Sequence, residues 1–364
     1  MRKQHFIGNA WHPASSGEYL PIIDPSNGEV MGDIARGTAA DIDAAVAAAR
    51  QAVGESFDGP WGVLSASERG RLMYRLASAV QERVEEFALL EAQETGKSIK
   101  TARTDAIFLA RYLEFYAGAC DKLHGDTIPF QTGFTVLTLR EPHGVTGHII
   151  PWNYPIQIFG RTVGAALATG NACVVKPAED ASQSILRLAE LAAEVGFPAG
   201  AINVVTGYGH EAGSFLTAHK GIDHISFTGS TATGRLVAQA AAERHCPVTL
   251  ELGGKSPQIV FEDANLDEAL PVIVNAIVQN AGQTCSAGSR LLVQRSIYER
   301  VMQSLAERFR ALKSGPPQLG LDMGPLVNRK QYEQVKRILA KAESDGLTVM
   351  ARGELHPDAA SAGF

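Results

Sequence analysis

The segment Asn280-Ala281-Gly282-Gln283-Thr284-Cys285 delivers a cysteine from a turn bearing Gly and Gln, and it follows a Glu-Leu-Gly-Gly run, Glu251 to Gly254. A thiolate is a strong nucleophile and a good leaving group, which suits acyl chemistry through a covalent intermediate. A carboxylate such as Glu251 then serves as the base that activates water against a thioester. No histidine partner is evident in the sequence. The opposing reading makes Cys285 one of four small buried hydrophobes, and the hexapeptide by itself does not choose between the two.

Three further segments put reactive residue types just past predicted strands, where ligands of open α/β sheets bind. In Val174-Val175-Lys176-Pro177-Ala178-Glu179 a cation and an anion follow one strand. Lys176 suits ribose or phosphate oxygens. Glu179 accepts from both hydroxyls of an adenosine ribose and repels a 2′-phosphate, favouring NAD over NADP. The alternative is a solvated ion pair. Phe227-Thr228-Gly229-Ser230 leads into a helix containing Gly234, whose N-terminal N–H groups and dipole attract phosphate. The Gly229-to-Gly234 spacing is neither the dinucleotide fingerprint nor a P-loop, so alone it is a weak signal. Gly207-Tyr208-Gly209 with Gly213 is a second Gly-rich turn, which steric need alone would explain. Pro151-Trp152-Asn153-Tyr154-Pro155 follows another strand. Asn153 suits an oxyanion donor, a role worth roughly 2.7–4 kcal/mol, or simply a Pro-bounded turn. His148 lies in an apolar strand and reads as core. Cys120, Cys173 and Cys246 lack activating neighbours in sequence and read as structural.

Composition bounds what can carry these residues. At 364 residues two or more domains are expected, and 45% hydrophobic with 20% charged content describes a soluble globular protein with ample core. A net charge of −6 gives no basic field for nucleic acid or anionic membrane. The ten histidines are scattered, so no metal site is expected. Four cysteines in so long a chain do not make a disulfide framework and fit a reducing compartment. Met1 to Ile7 carries two positive charges without an apolar run after them, so no secretory leader is expected, and no stretch reaches the ~18 apolar residues of a membrane helix. The expected location is the cytoplasm.

The elements follow from periodicity. Residues 1–36 read as short strands and turns, with Asn27-Gly28 a hairpin signal. Thr38 caps a helix with Asp41 three residues on and an Ala-rich body to Val53. One helix is predicted over Ser67–Thr95, ended by Gly96, and another over Ile99–Leu123. Phe134–Arg140 alternates and reads as a strand. From Val145 strands alternate with 10–15-residue helices, which predicts a doubly wound parallel sheet: strands at 145–150, 172–175, 202–205, 224–227 and 248–250. Gly253-Gly254 marks a domain change. A second α/β series then has strands at 257–261, 291–294 and 347–351. Sheets average ~5–6 strands, so a truncated chain is expected.

Taken in order, Pro151-Trp152-Asn153, Lys176-Pro177-Ala178-Glu179, Phe227-Thr228-Gly229-Ser230, Glu251-Leu252-Gly253-Gly254 and Gly282-Gln283-Thr284-Cys285 resemble the aldehyde dehydrogenase superfamily. The likeness begins near Phe6-Ile7-Gly8 and Asp24-Pro25-Ser26-Asn27-Gly28-Glu29 and runs through Met323-Gly324-Pro325-Leu326. The resemblance implies an α/β fold of two doubly wound parallel-sheet domains: an NAD-binding, Rossmann-like domain over residues 1–125 and 144–252, and a catalytic domain over 253–364. A β oligomerisation element would lie at 126–143. It implies NAD-dependent oxidation of an aldehyde to a carboxylate. Cys285 would attack the carbonyl, Asn153 and the Cys285 N–H would hold the oxyanion, and Glu251 would activate water. Lys176 and Glu179 would hold the adenosine ribose and Ser230 would lie near the pyrophosphate, with Pro151, Trp152, Gly209 and Gly229 lining the cofactor site. The partners implied are a small aldehyde and further copies of the chain, as a homodimer or homotetramer in the full-length form. Two departures stand out. A downstream Glu-containing motif that holds the nicotinamide ribose and a C-terminal oligomerisation strand are not in the sequence, and Phe159-Gly160-Arg161-Thr162 has Arg161 and Thr162 where many relatives carry an aromatic and a Lys. Arg161 would favour a substrate with a remote carboxylate, or is an ordinary ion-pair residue. The competing functions are a cofactor-independent thiol esterase and a non-catalytic nucleotide-binding fragment.

Overall fold

Parallel strands that are apolar on both faces need helices on both sides. That requirement organises the larger of two units, residues 1–20, 33–87 and 105–251. The structure, a computed structural model, describes residues 2–361 and 363–364. The first strands are β1 (Arg2–Lys3), β2 (His5–Ile7), β3 (Ala10–His12), β4 (Tyr19–Ile23) and β5 (Val30–Ala35). A short ribbon, β6 (Thr127–Ile128) and β7 (Val136–Leu137), precedes β8 (Val145–Ile150), β9 (Ala172–Pro177), β10 (Ile202–Val204), β11 (His224–Gly229) and β12 (Val248–Leu252). The main sheet has the order β12-β11-β8-β9-β10-β2-β3. Strands β11, β8, β9 and β10 are parallel, and the β2–β3 hairpin adds antiparallel strands at one edge, turning through left-handed Gly8 and Asn9.

The helices are α1 (Ala39–Val53), α2 (Ala66–Glu82), α3 (Val84–Thr95), α4 (Ile99–Ala119), α5 (Pro155–Ala168), α6 (Gln183–Glu194), α7 (Ser214–Ala218) and α8 (Thr231–Ala242). Helices α1, α7 and α8 pack in one group, and α2, α5 and α6 in another, so the sheet is covered on both faces as a doubly wound fold requires. Between them β9 is buried along its whole length. Trp61 is fully buried, donates from Nε1 to the Asn171 carbonyl at 3.0 Å and stacks on Phe197. The Thr38–Asp41 capping box forms as expected. Asp41 also binds Ser15 and lies 3.6 Å from the buried His5. Burial pushes its carboxyl up, but the His5, Thr38 and Ser15 bonds win and hold it well below the usual carboxylate range.

The smaller unit comprises residues 21–32, 88–104 and 252–364. It holds two parallel strand pairs: β13 (Pro257–Val260) with β14 (Arg290–Val293), and β15 (Lys313–Ser314) with β16 (Glu354–Leu355). Helices α9 (Leu266–Val278) and α10 (Tyr298–Arg310) close a core of Val260, Leu270, Ile273, Ile297, Val301 and Leu305. Helix α11 (Arg329–Ser344) follows. The 88–104 segment packs Ala88, Ala92 and Ala102 beside a fully buried Lys97–Glu91 ion pair of 3.2 Å. Asn27-Gly28 makes the expected turn, with Gly28 N–H bonding the Asp24 carbonyl.

Three expectations change. The single helix over 67–95 is broken at Arg83 (φ −118°, ψ 24°), whose guanidinium bonds the Ala79 carbonyl and ends α2. The strand over 134–140 shrinks to Val136–Leu137, because its one partner, β6, is only two residues long. The run Leu347–Ala351 is no strand; its apolar side chains stay exposed, and it is Glu354–Leu355 that pairs with Lys313–Ser314.

His148 is buried in β8 with Nε2 bonded to Thr146 Oγ1 at 2.9 Å, the core role expected. Burial, and then His224, push its imidazole down to about 3. The folded histidine thus stays neutral while the unfolded one charges below pH ~6.5, so stability falls as pH drops from about 6.5 towards 3. His148→Gln is therefore expected to remove about 2 kcal/mol of the stability difference between pH 7 and pH 5, measured as a flatter profile of denaturation midpoint against pH. A profile identical to wild type would refute it.

Candidate active site

Register brings three of the predicted segments to one edge of the main sheet. Ile149 lies opposite Lys176 on β9 and opposite Phe227 on β11. The strands are parallel, so Pro151-Trp152-Asn153, Lys176 to Glu179 and Gly229-Ser230 all follow carboxyl ends of neighbouring strands. Lys176 is 2% exposed, and its Nζ bonds Glu179 Oε2 at 3.2 Å, while the Glu179 side chain is 38% exposed. The pair is therefore not a solvated surface bridge. Burial lowers the lysine's pKa, and Glu179 opposes that shift. Gly209 opens the turn beside it, where an added Cβ would sit 3.9 Å from the ammonium. Ser230 caps α8, its Oγ accepting from Thr233 N–H at 3.2 Å. A buried cation, a half-exposed carboxylate, a glycine-lined approach and a capped helix start fit a ribose and its phosphates.

Asn153 and Trp152 are half-buried ahead of α5. On α5, Gln157 donates to the buried Asp105 at 2.6 Å. Sequence reasoning missed this pair, because the residues lie 52 apart. Arg161, farther along α5, is exposed and without an ion pair or hydrogen bond among the described residues. Glu251 is exposed near the end of the edge strand β12.

Cys285 belongs to the smaller unit and is exposed. Helix α9 ends at Val278, and Asn280, Ala281 and Gly282 then adopt left-handed φ values of 50°, 54° and 77°. For Asn280 and Ala281 that conformation costs about 1–2 kcal/mol each. The turn is held by the Gln283 side chain and by Gly288 N–H bonding the Ala276 carbonyl at 2.9 Å. Gly254 passes the Cys285 backbone so closely that a Cβ there would lie 3.1 Å from the Cys285 carbonyl oxygen. This proximity is specific to Gly254, since a Cβ on Gly253 would meet nothing within 4 Å. No group of metal-ligating side chains occurs among the described residues. No helix is long and apolar enough to cross a membrane.

Known proteins resemble this chain along nearly its whole length. The family described as "Aldehyde dehydrogenase family" matches residues 11–364. The chain is 43% identical over 360 residues to hydroxyisobutyraldehyde dehydrogenase of Mycolicibacterium austroafricanum, covering 99% of this chain and 70% of that protein. A crystal structure from Burkholderia cenocepacia, provisionally named an aldehyde dehydrogenase, is 62% identical with a TM-score of 0.97, covering 99% of this chain and 75% of that one. The NAD+ complex of the Bacillus cereus aldehyde dehydrogenase is 41% identical with a TM-score of 0.94, covering 96% and 71%.

The four thiols differ sharply in environment. Cys120 and Cys173 are buried, the latter pushed up to about 12 by burial, and Cys246 is half-buried and raised by burial. Native protein at pH 7.5 is expected to take up iodoacetamide first at Cys285, at least about tenfold faster than at Cys246, with Cys120 and Cys173 unmodified until unfolding. Peptide mass mapping over time checks this, and early labelling of Cys173 would contradict it.

Proposed function

Because the chain belongs to the aldehyde dehydrogenase family, we propose that it oxidises an aldehyde to a carboxylate with NAD and with Cys285 as nucleophile. The observation that carries this reading is the exposed Cys285 thiol on a turn held in a costly backbone conformation beside the Gly253-Gly254 segment. Sγ attacks the aldehyde carbon to give a thiohemiacetal. Asn153 and the Cys285 backbone N–H donate to the developing oxyanion. NAD, when bound, supplies the acceptor for the hydride. Loss of that hydride leaves a thioester on Sγ, and Glu251 takes a proton from the water that hydrolyses it. Lys176 and Glu179 hold the adenosine ribose, Gly209, Gly229 and Ser230 admit the pyrophosphate, and Pro151 and Trp152 line the path between. Glu179 disfavours a 2′-phosphate, hence NAD over NADP.

The cofactor domain is assigned to residues 1–125 and 144–252 and the catalytic one to 253–364, except that residues 21–32 and 88–104 group with the catalytic unit. The 126–143 ribbon, with Ile128, Phe130, Phe134, Leu137 and Leu139 all exposed, is the surface on which copies of the chain associate as a dimer or tetramer. Four free cysteines support a reducing, cytoplasmic location.

NADH formation tests the reading. Cys285→Ser is expected to lower turnover by ~10³-fold or more. Glu251→Gln is expected to keep a first-turnover burst of NADH while steady-state turnover falls, since only hydrolysis needs the base. Turnover without NAD would favour the thiol esterase, and an unchanged Glu251→Gln steady state would remove the base from Glu251. The unpaired Arg161 is expected to favour aldehydes bearing a remote carboxylate. Arg161→Ala should cut kcat/KM for an acidic aldehyde about ten- to hundredfold while sparing a neutral one. Equal effects on both would dispose of that preference.

A further inference from the structure

Gln283 uses both ends of its amide on the turn that presents Cys285. Its Nε2 donates to the Asn280 carbonyl at 3.1 Å, closing the left-handed stretch from within. Its Oε1 accepts from the Val327 backbone N–H at 3.0 Å, tying the turn to a segment 44 residues away. The orientation of the amide is fixed, because a backbone N–H only donates and a carbonyl only accepts. Asn280 reciprocates, its Nδ2 donating to the Gln283 carbonyl at 3.4 Å. Val327 is 2% exposed, so its N–H has no ready substitute acceptor in water. Two residues beyond Gln283, Cys285 is exposed, and Ala287 N–H bonds the Thr284 carbonyl at 3.2 Å. Because Cys285 is exposed, packing constrains its side chain little, and its direction follows from the backbone that Gln283 clamps.

We propose, resting on Cys285 as the nucleophile, that Gln283 is its positioning residue: the amide bridge from Asn280 to Val327 sets the line along which the thiolate meets a carbonyl carbon. Attack on a carbonyl is sensitive to placement, and a misplacement of about 1 Å costs about 10²-fold. Alkylation by iodoacetamide requires only an accessible thiolate. The two reactions therefore separate where the sulfur points from whether it is charged and reachable. Neither depends on cofactor, so the assignment is tested apart from the dehydrogenase activity.

The experiment compares wild type, Gln283→Met and Gln283→Glu, with Cys285→Ser as background. The burst of p-nitrophenolate from p-nitrophenyl acetate reads the first chemistry, in which the thiolate displaces nitrophenolate and leaves an acetyl thioester on Sγ. Iodoacetamide uptake at Cys285 reads the second. Gln283→Met, which keeps the length and loses both hydrogen bonds, is expected to slow the burst at least tenfold while alkylation changes less than threefold. Gln283→Glu always keeps an acceptor for Val327 but donates to Asn280 only when protonated. Its burst rate relative to wild type is therefore expected to climb as pH falls from 8 to 5. Should Gln283→Met not fold, that pH profile still decides the matter. A burst within twofold of wild type in Gln283→Met, a parallel loss of both reactions, or a flat relative profile in Gln283→Glu overturns the assignment. A burst that survives in Cys285→Ser overturns the nucleophile itself and the assignment with it.

Discussion

At the end of α9 two successive residues other than glycine accept unfavourable backbone geometry. Asn280 and Ala281 sit in a conformation that L-residues avoid, directly before the residues that carry the thiol. Such a turn persists only if its surroundings hold it. One side is held by α9 itself, whose Leu270 and Ile273 are locked into the core with Val301 and Leu305 of α10. The other is held by hydrogen bonds that relaxation into an ordinary helix end would break: Gln283 to Asn280 and Val327, and Gly288 to Ala276. The result is a cysteine that stands out from the helix it follows rather than being folded into the core. That exposure separates it from Cys120 and Cys173, which share its chemistry but are sealed away and pushed towards the unreactive thiol form.

The larger unit solves a different problem. A parallel sheet offers its ligand edge for free, because every carboxyl end points the same way, but it must then supply polar groups where apolar strands finish. Lys176 does so while still inside the sheet, paired across from Ile149 and 2% exposed. An ammonium so placed is costly to keep charged without a counter-charge, and burial lowers its pKa. Glu179, three residues on and far better hydrated, supplies that counter-charge. The same carboxylate that stabilises the lysine is the one that would discriminate between ribose hydroxyls and a phosphate.

Much of this was legible beforehand, for local reasons. Strands β8 to β11 and the helices between them announce themselves because buried parallel strands are largely apolar and their crossovers are amphipathic. The capping box at Thr38–Asp41 needs only four consecutive residues. What stayed hidden depends on contacts distant in sequence. The apolar runs at 134–140 and 347–351 have the composition of strands, but a ladder needs a partner, and for the first it is two residues long while the second stays unpaired in the structure. The break at Arg83 lies within a continuous helical pattern and is made by a side chain folding back on Ala79. Among the site residues, the strand-end motifs could be read from position alone. The Gln157–Asp105 pair and the Gln283–Val327 bond, spanning 52 and 44 residues, could not.

The support for the cysteine turn extends well beyond its own loop. Val327 belongs to the Met323–Val327 stretch, and that stretch is pressed against the 88–104 segment: a Cβ on Gly324 would lie 1.8 Å from the Gly96 carbonyl oxygen, and one on Gly96 would lie 2.7 Å from Pro325. A side chain at either glycine would therefore have to push the two stretches apart. Gly96 in turn adjoins Lys97, whose buried bond to Glu91 fixes the end of α3. Breaking a buried ion pair by removing one partner leaves an uncompensated charge and is strongly destabilising, about 3–5 kcal/mol. The buried Lys97–Glu91 pair, the close Gly96–Gly324 approach and the Gln283–Val327 bond thus lie along one path of near neighbours. Residues 88–104, far in sequence from Cys285, are part of the unit that carries it.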